Sequence, residues 1–134
     1  MDANSKLGEE FIKNNPHSQS QNGRILARII RRHALIVVNG LSDKCCGVVT
    51  RKRVTKDSIE ESAIDFVITS NDLLESIESL LIDEERKHVL TKYTKNKKGS
   101  SKSESDHNML LTKLKLKWSK KIQKTNLEVF NSKN

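Results

Sequence analysis

The chain has no apolar run long enough to cross a membrane. Its longest, Ala34-Leu-Ile-Val-Val38, falls far short of the ~18 residues a span requires. The N-terminal segment Met1–Glu10 carries no apolar core of the kind a secretory leader needs, so no export signal is expected. Cysteine is scarce too. Cys45 and Cys46 are the only two and they are adjacent, which excludes a framework of loop-closing disulfides. A reduced, intracellular protein, nuclear or cytoplasmic, is the expectation. His17, His33 and His88 show no metal-ligand spacing with one another or with the cysteines, so a zinc site is not expected. Hydrophobic residues make up only 34% of the 134, enough for one domain with a small core and little margin of stability. No internal repeat is visible.

What the chain has in excess is positive charge: 25 Lys and Arg against 17 Asp and Glu, a formal net charge of +8. The charge comes in segments. Arg24, Arg28, Arg31 and Arg32 form one, Arg51, Lys52, Arg53 and Lys56 a second, Lys95, Lys97, Lys98 and Lys102 a third, and Lys113 to Lys124 a fourth. Such segments suit an anionic partner such as nucleic acid, and they equally suit the solvated faces of an ordinary basic domain.

Hydrophobic spacing predicts an amphipathic helix over 22–33, with Ile25, Leu26, Ile29 and Ile30 on one side and Asn22 as its N-cap. A short buried strand is expected at Ala34–Val38, ending at Asn39-Gly40, and another at Gly47–Thr50, entering a basic hairpin-like segment. Ser62–Ser70 reads as the clearest strand, apolar except for Asp65. Leu73, Leu74, Ile77, Leu80 and Leu81 suit a second helix over 71–81, although Leu80–Ile82 and His88–Leu90 around Asp83-Glu-Glu85 also suit a hairpin. Tyr93–Glu104, rich in Lys, Ser and Gly, reads as a mobile loop. Met109–Trp118 alternates as a half-buried strand with a basic outer face. The sum is a strand-rich α/β pattern.

Three short constellations carry chemistry. Asp2-Ala-Asn4 places a carboxylate and a carboxamide on the same side of an extended segment. Asp65 is an acid inside an apolar run, where a charge is usually exposed or paired. Ser105-Asp106-His107 sets an acid beside an imidazole ahead of a strand. Taken singly, each is also an ordinary surface feature. Cys45 and Cys46 read as inert rather than nucleophilic.

In order along the chain, Asp2-Ala-Asn4, Asn22-Gly23, Asn39, Thr50-Arg51, Ser62-Ala-Ile-Asp-Phe66 and Ser105-Asp-His107 resemble one family. It is the endonuclease/exonuclease/phosphatase superfamily, and within it the apurinic-type endonuclease domains of non-LTR (LINE-like) retrotransposons. The resemblance covers the second half of the family's domain. Residues 1–118 would be that half, and 119–134, with Asn126-Leu-Glu-Val-Phe-Asn131, resemble the segment leading toward a reverse transcriptase. The family fold is a four-layer α/β sandwich, of which this chain would supply the C-terminal half: one mixed, mostly antiparallel sheet with flanking helices. The family's first half carries an Asn, a Tyr and the Glu that is its principal metal ligand. Only Met1 precedes Asp2, so the resemblance implies a truncated enzyme, inactive alone.

By resemblance, Asp2 would orient and deprotonate the attacking water and Asn4 would position it. His107 would donate to a phosphate oxygen, and Asp65 would hold the imidazole from behind. Asp106 would sit at the metal, expected to be Mg²⁺, and Thr50, Arg51 and Arg53 would contact DNA. Apolar surface normally covered by the other half would favour homo-oligomers. The alternative is a basic nucleic-acid-binding module without catalysis, indifferent to Asp2 and His107.

Overall fold

The computed structural model describes residues 1–117, so Trp118 and the expected tail 119–134 lie outside the described residues. One α-helix, α1 (Gln21–Arg32), starts where the hydrophobic spacing predicts. Its N-cap is Ser20, not Asn22. The Ser20 hydroxyl accepts from the Gly23 amide, one of the orphan donors of the first turn, and also from the Lys6 amide 3.0 Å away. Gly23 lets the N-terminal segment come close, since a Cβ there would lie 1.9 Å from the Lys6 carbonyl oxygen. The helix buries Ala27 and Ile30 against Leu7, Ile12, Val37, Ala63 and Phe66, which together form the main core. A smaller cluster gathers Val38, Ile77 and Leu80.

The strands are β1 (Ile36–Val37), β2 (Cys45–Cys46), β3 (Arg51–Val54), β4 (Ile59–Ser62) and β5 (Ile68–Thr69), followed by β6 (Ile77–Ile82), β7 (Thr91–Asn96), β8 (Gly99–Glu104) and β9 (Leu110–Leu114). The mixed, strand-rich α/β class is as expected. The single sheet is not: the strands form three antiparallel pairs, β1–β5, β3–β4 and β7–β8, and one three-stranded sheet ordered β2-β6-β9. In that sheet β2 runs parallel to β6, and β9 runs antiparallel to it.

Several local expectations give way to tertiary pairing. Ser62–Ser70 is not one laddered strand. Its middle is held irregularly, by the N-terminal segment on one side and by Val38 and Asn39 on the other. Gly47–Thr50 is a loop, and the strand before it is Cys45–Cys46. The expected helix over 71–81 is a 3₁₀ segment, Asn71–Ser76, running into β6. Leu80 and Ile82 pair with β9 rather than with His88–Leu90, which is not a strand. The expected mobile loop 93–104 is the β7–β8 hairpin. Among the described residues no helix is long and apolar enough to cross a membrane.

Candidate functional site

Three segments distant in sequence meet in one place. The N-terminus lies antiparallel to 64–66: the Ala3 amide donates to the Ile64 carbonyl at 3.0 Å and the Phe66 amide to the Met1 carbonyl at 2.9 Å. The Met1 ammonium returns a bond to the Phe66 carbonyl at 3.0 Å. This pairing sets Asp2 directly across from Asp65. The third segment arrives beside β3, where the Lys52 amide donates to the Asp106 carbonyl and the Asn108 amide to the Thr50 carbonyl. Arg51 and His107 are thereby bridged.

His107 is the hub. Its Nδ1 lies 2.8 Å from Oδ2 of buried Asp65, so the carboxylate accepts from the ring and fixes which nitrogen faces outward. A buried carboxylate needs such a partner, which accounts for an acid inside an apolar run. The outward Nε2 lies 3.8 Å from Oδ2 of Asp2 and 3.8 Å from Oδ1 of Asp106. The Asp2 side chain is 54% exposed, so this side of the ring opens to solvent. Its other oxygen accepts from the Asn4 amide at 2.9 Å, a short turn that holds Asn4 in the left-handed region at φ 43°.

The backbone beneath Asp65 is held by buried polar side chains. Thr50 Oγ1 accepts from the Ile64 and Asp65 amides at 2.9 and 3.0 Å. Asn39 donates to the Asp65 carbonyl at 3.1 Å and accepts from the Val67 amide at 2.8 Å. The loop carrying His107 is clamped by Arg86, which donates to the carbonyls of Ser105 and Asp106 and to the Asn108 side chain. Asn108 in turn donates to the Val49 carbonyl at 2.8 Å. Sequence reasoning missed the parts played by Arg86 and Asn108. Asn108 follows His107 directly, a usable clue, whereas nothing in the sequence around Arg86 marks it.

Of the residues expected at the site, Asp2, Asp65, Asp106 and His107 converge. Asn4, Arg51 and Arg53 line a neighbouring cavity of about 370 Å³, with Lys6, His17 and Glu61. Thr50 is a correction. It is fully buried with its hydroxyl spent on two backbone amides, so it shapes the site and cannot contact DNA. Arg51 turns its Nε to Oδ2 of Asp106 at 2.7 Å. Partial burial pushes the Asp106 carboxyl up, but the Arg51 hydrogen bond and charge outweigh it and hold the carboxyl below its ordinary range. The Cys45 thiol is pushed up to about 11 by burial, then by Cys46 and Glu84, so it is no nucleophile at neutral pH.

Ligand atoms of Asp2, Asp65 and His107 lie within 4.8 Å of one another. That closeness does not by itself suit Mg²⁺, which takes oxygen ligands in a near-octahedral shell. Asp65 is committed to His107, Asp106 is paired with a guanidinium, and the imidazole occupies the space between the carboxylates. Asp2, Asp65 and Asp106 each have one oxygen already engaged, by the Asn4 amide, the His107 ring and the Arg51 guanidinium, so these residues do not fit a complete Mg²⁺ centre. The arrangement presents the outward ring nitrogen, Nε2, to solvent with a carboxylate on either side of it. The chain matches no family model, no curated protein and no solved structure.

Proposed function

We propose that the chain carries the histidine–carboxylate part of a phosphodiester-cleaving site, as in a retrotransposon-type, divalent-metal-dependent DNA endonuclease. The observation that carries this reading is His107 held by buried Asp65 at Nδ1, with Asp2 and Asp106 facing Nε2. In this reading Nε2–H donates to a non-bridging phosphate oxygen, and Asp65 stabilises the imidazolium that does so. Asp2 accepts the proton of the attacking water, and Asn4 helps place that water. The fold would then be the C-terminal half of a four-layer sandwich. On this reading the chain does not cut by itself, since the metal-binding Glu that such chemistry calls for has no counterpart in the Asp2, Asp65 and His107 cluster among the described residues.

The test is nicking of supercoiled plasmid with and without Mg²⁺. The chain alone should nick no faster than His107→Ala. A chimera that supplies the Glu-bearing half of an active family member should nick in Mg²⁺. Asp2→Asn or His107→Ala in that chimera should slow it at least about 100-fold, the range expected of an acid–base or transition-state group. A chimera that folds and stays inert, with DNA binding retained, would favour a non-catalytic binding module. The exposed lysines and arginines of the hairpins and of α1 are the observation in that module's favour.

A further inference from the structure

The β7–β8 hairpin is built unlike the rest of the chain. Its strands pair only with each other, Thr91 opposite Glu104 through to Asn96 opposite Gly99, and every residue from Lys92 to Glu104 is exposed. It contributes nothing to either core cluster. Along it stand Lys92, Lys95, Lys97, Lys98 and Lys102, with Glu104 as its one acid. Strand alternation puts Tyr93, Lys95 and Lys102 on one face, Tyr93 directly opposite Lys102, while Lys97 and Lys98 make the tip. Tyr93 is 73% exposed, so it has no packing role.

The hairpin is anchored at the site. The Ser105 amide donates to the Leu90 carbonyl at 2.8 Å across its base, and Arg86 grips Ser105 and Asp106 just beyond. Asp106 and His107 therefore follow the ribbon's last strand almost at once. Six residues per strand make a ribbon about 20 Å long, and a major groove about 12 Å wide admits two strands. Among the described residues, Lys92, Lys95, Lys97 and Lys98 form no ion pair, and Lys102 approaches Glu104 at 3.6 Å.

We infer that the β7–β8 hairpin is a duplex-DNA-binding arm that lies along the phosphates flanking the one presented to His107. This rests on the reading of that site as one for phosphodiesters. The arm supplies affinity and orientation, and the chemistry stays with the residues at its base.

The experiment measures binding of the full chain to a labelled duplex by fluorescence anisotropy over a series of salt concentrations. Each phosphate neutralised contributes about 0.9 to the slope of log K against log salt. Replacing Lys95, Lys97, Lys98 and Lys102 with Ser should therefore lower the slope by about 2 to 4. A charge-matched variant, with Lys13, Arg24, Arg28 and Arg32 replaced by Gln, should lower it by less than about 1. Circular dichroism should show both variants folded. An equal loss in the two variants would reduce the effect to net charge and overturn the proposal, as would an unchanged slope in the hairpin variant. Failure of the wild-type chain to bind duplex would overturn it too. If the hairpin variant loses slope while the chimera stays inert, the site reading fails and takes the arm's placement beside His107 with it, leaving only a hairpin that binds duplex. If the chimera nicks and the hairpin variant binds like wild type, the arm fails alone.

Discussion

At the scale of single residues, the site rests on buried polar side chains beneath it, and Thr50, Asn39 and Asn108 each serve two partners. Asp65 was legible because a carboxylate in an apolar run demands a partner, and His107 was the natural one. Thr50 was misread. A Thr next to Arg51 in a basic stretch looks like a DNA contact, and only the tertiary fold reveals that its hydroxyl closes on the Ile64 and Asp65 amides. Thr50→Val keeps the shape and leaves two buried amides without an acceptor, a loss of about 3 kcal/mol. Thr50→Ser keeps the acceptor and should cost about 1 kcal/mol, the worth of one buried methyl group. Urea denaturation of the two variants checks this. Equal stability of Val and Ser at this position would mean the hydroxyl holds nothing.

Elements were legible where one periodicity has one partner. The helix over 21–32 needs only its own apolar face and a cap, and its spacing was sufficient. Ile77, Leu80 and Leu81 satisfy helical spacing equally well, yet β9 lies alongside and the backbone there pairs as β6. The β7–β8 hairpin was hidden for the opposite reason, since a ribbon exposed on both faces has no apolar alternation to betray it. The cap of α1 was misplaced by two residues because Ser20 serves a tertiary purpose as well, accepting from Lys6 in addition to Gly23. Ser20→Ala should therefore exceed an ordinary cap deletion, costing about 2 kcal/mol rather than about 1. Asn22→Ala should be nearly neutral. Thermal melts of the two variants separate them, and a larger loss at Asn22 would return the cap to that residue.

At the scale of the whole molecule, small paired strands around two modest clusters leave the polar network at His107 as a principal tie between distant segments. The N-terminus, residues 64–66 and the loop after β8 are joined there by hydrogen bonds. Asp2, Asp65, Asp106 and His107, singled out from the sequence, lie together in the structure. That Arg51 occupies Asp106 could not be read from the sequence, because an ion pair across 55 residues leaves no trace in local pattern. That pairing decides how the chain meets metal. A ligand that binds only the folded state at a hundred times its Kd adds about 2.7 kcal/mol, several degrees in a domain of this size. With Asp106 paired to Arg51 and Asp65 hydrogen-bonded to His107, millimolar Mg²⁺ should leave the melting temperature where potassium chloride of equal ionic strength leaves it. A rise of several degrees in Mg²⁺ alone, lost in Asp2→Asn, would mean that the chain assembles a metal centre from its own residues. The expectation that it cannot cut alone would then fall.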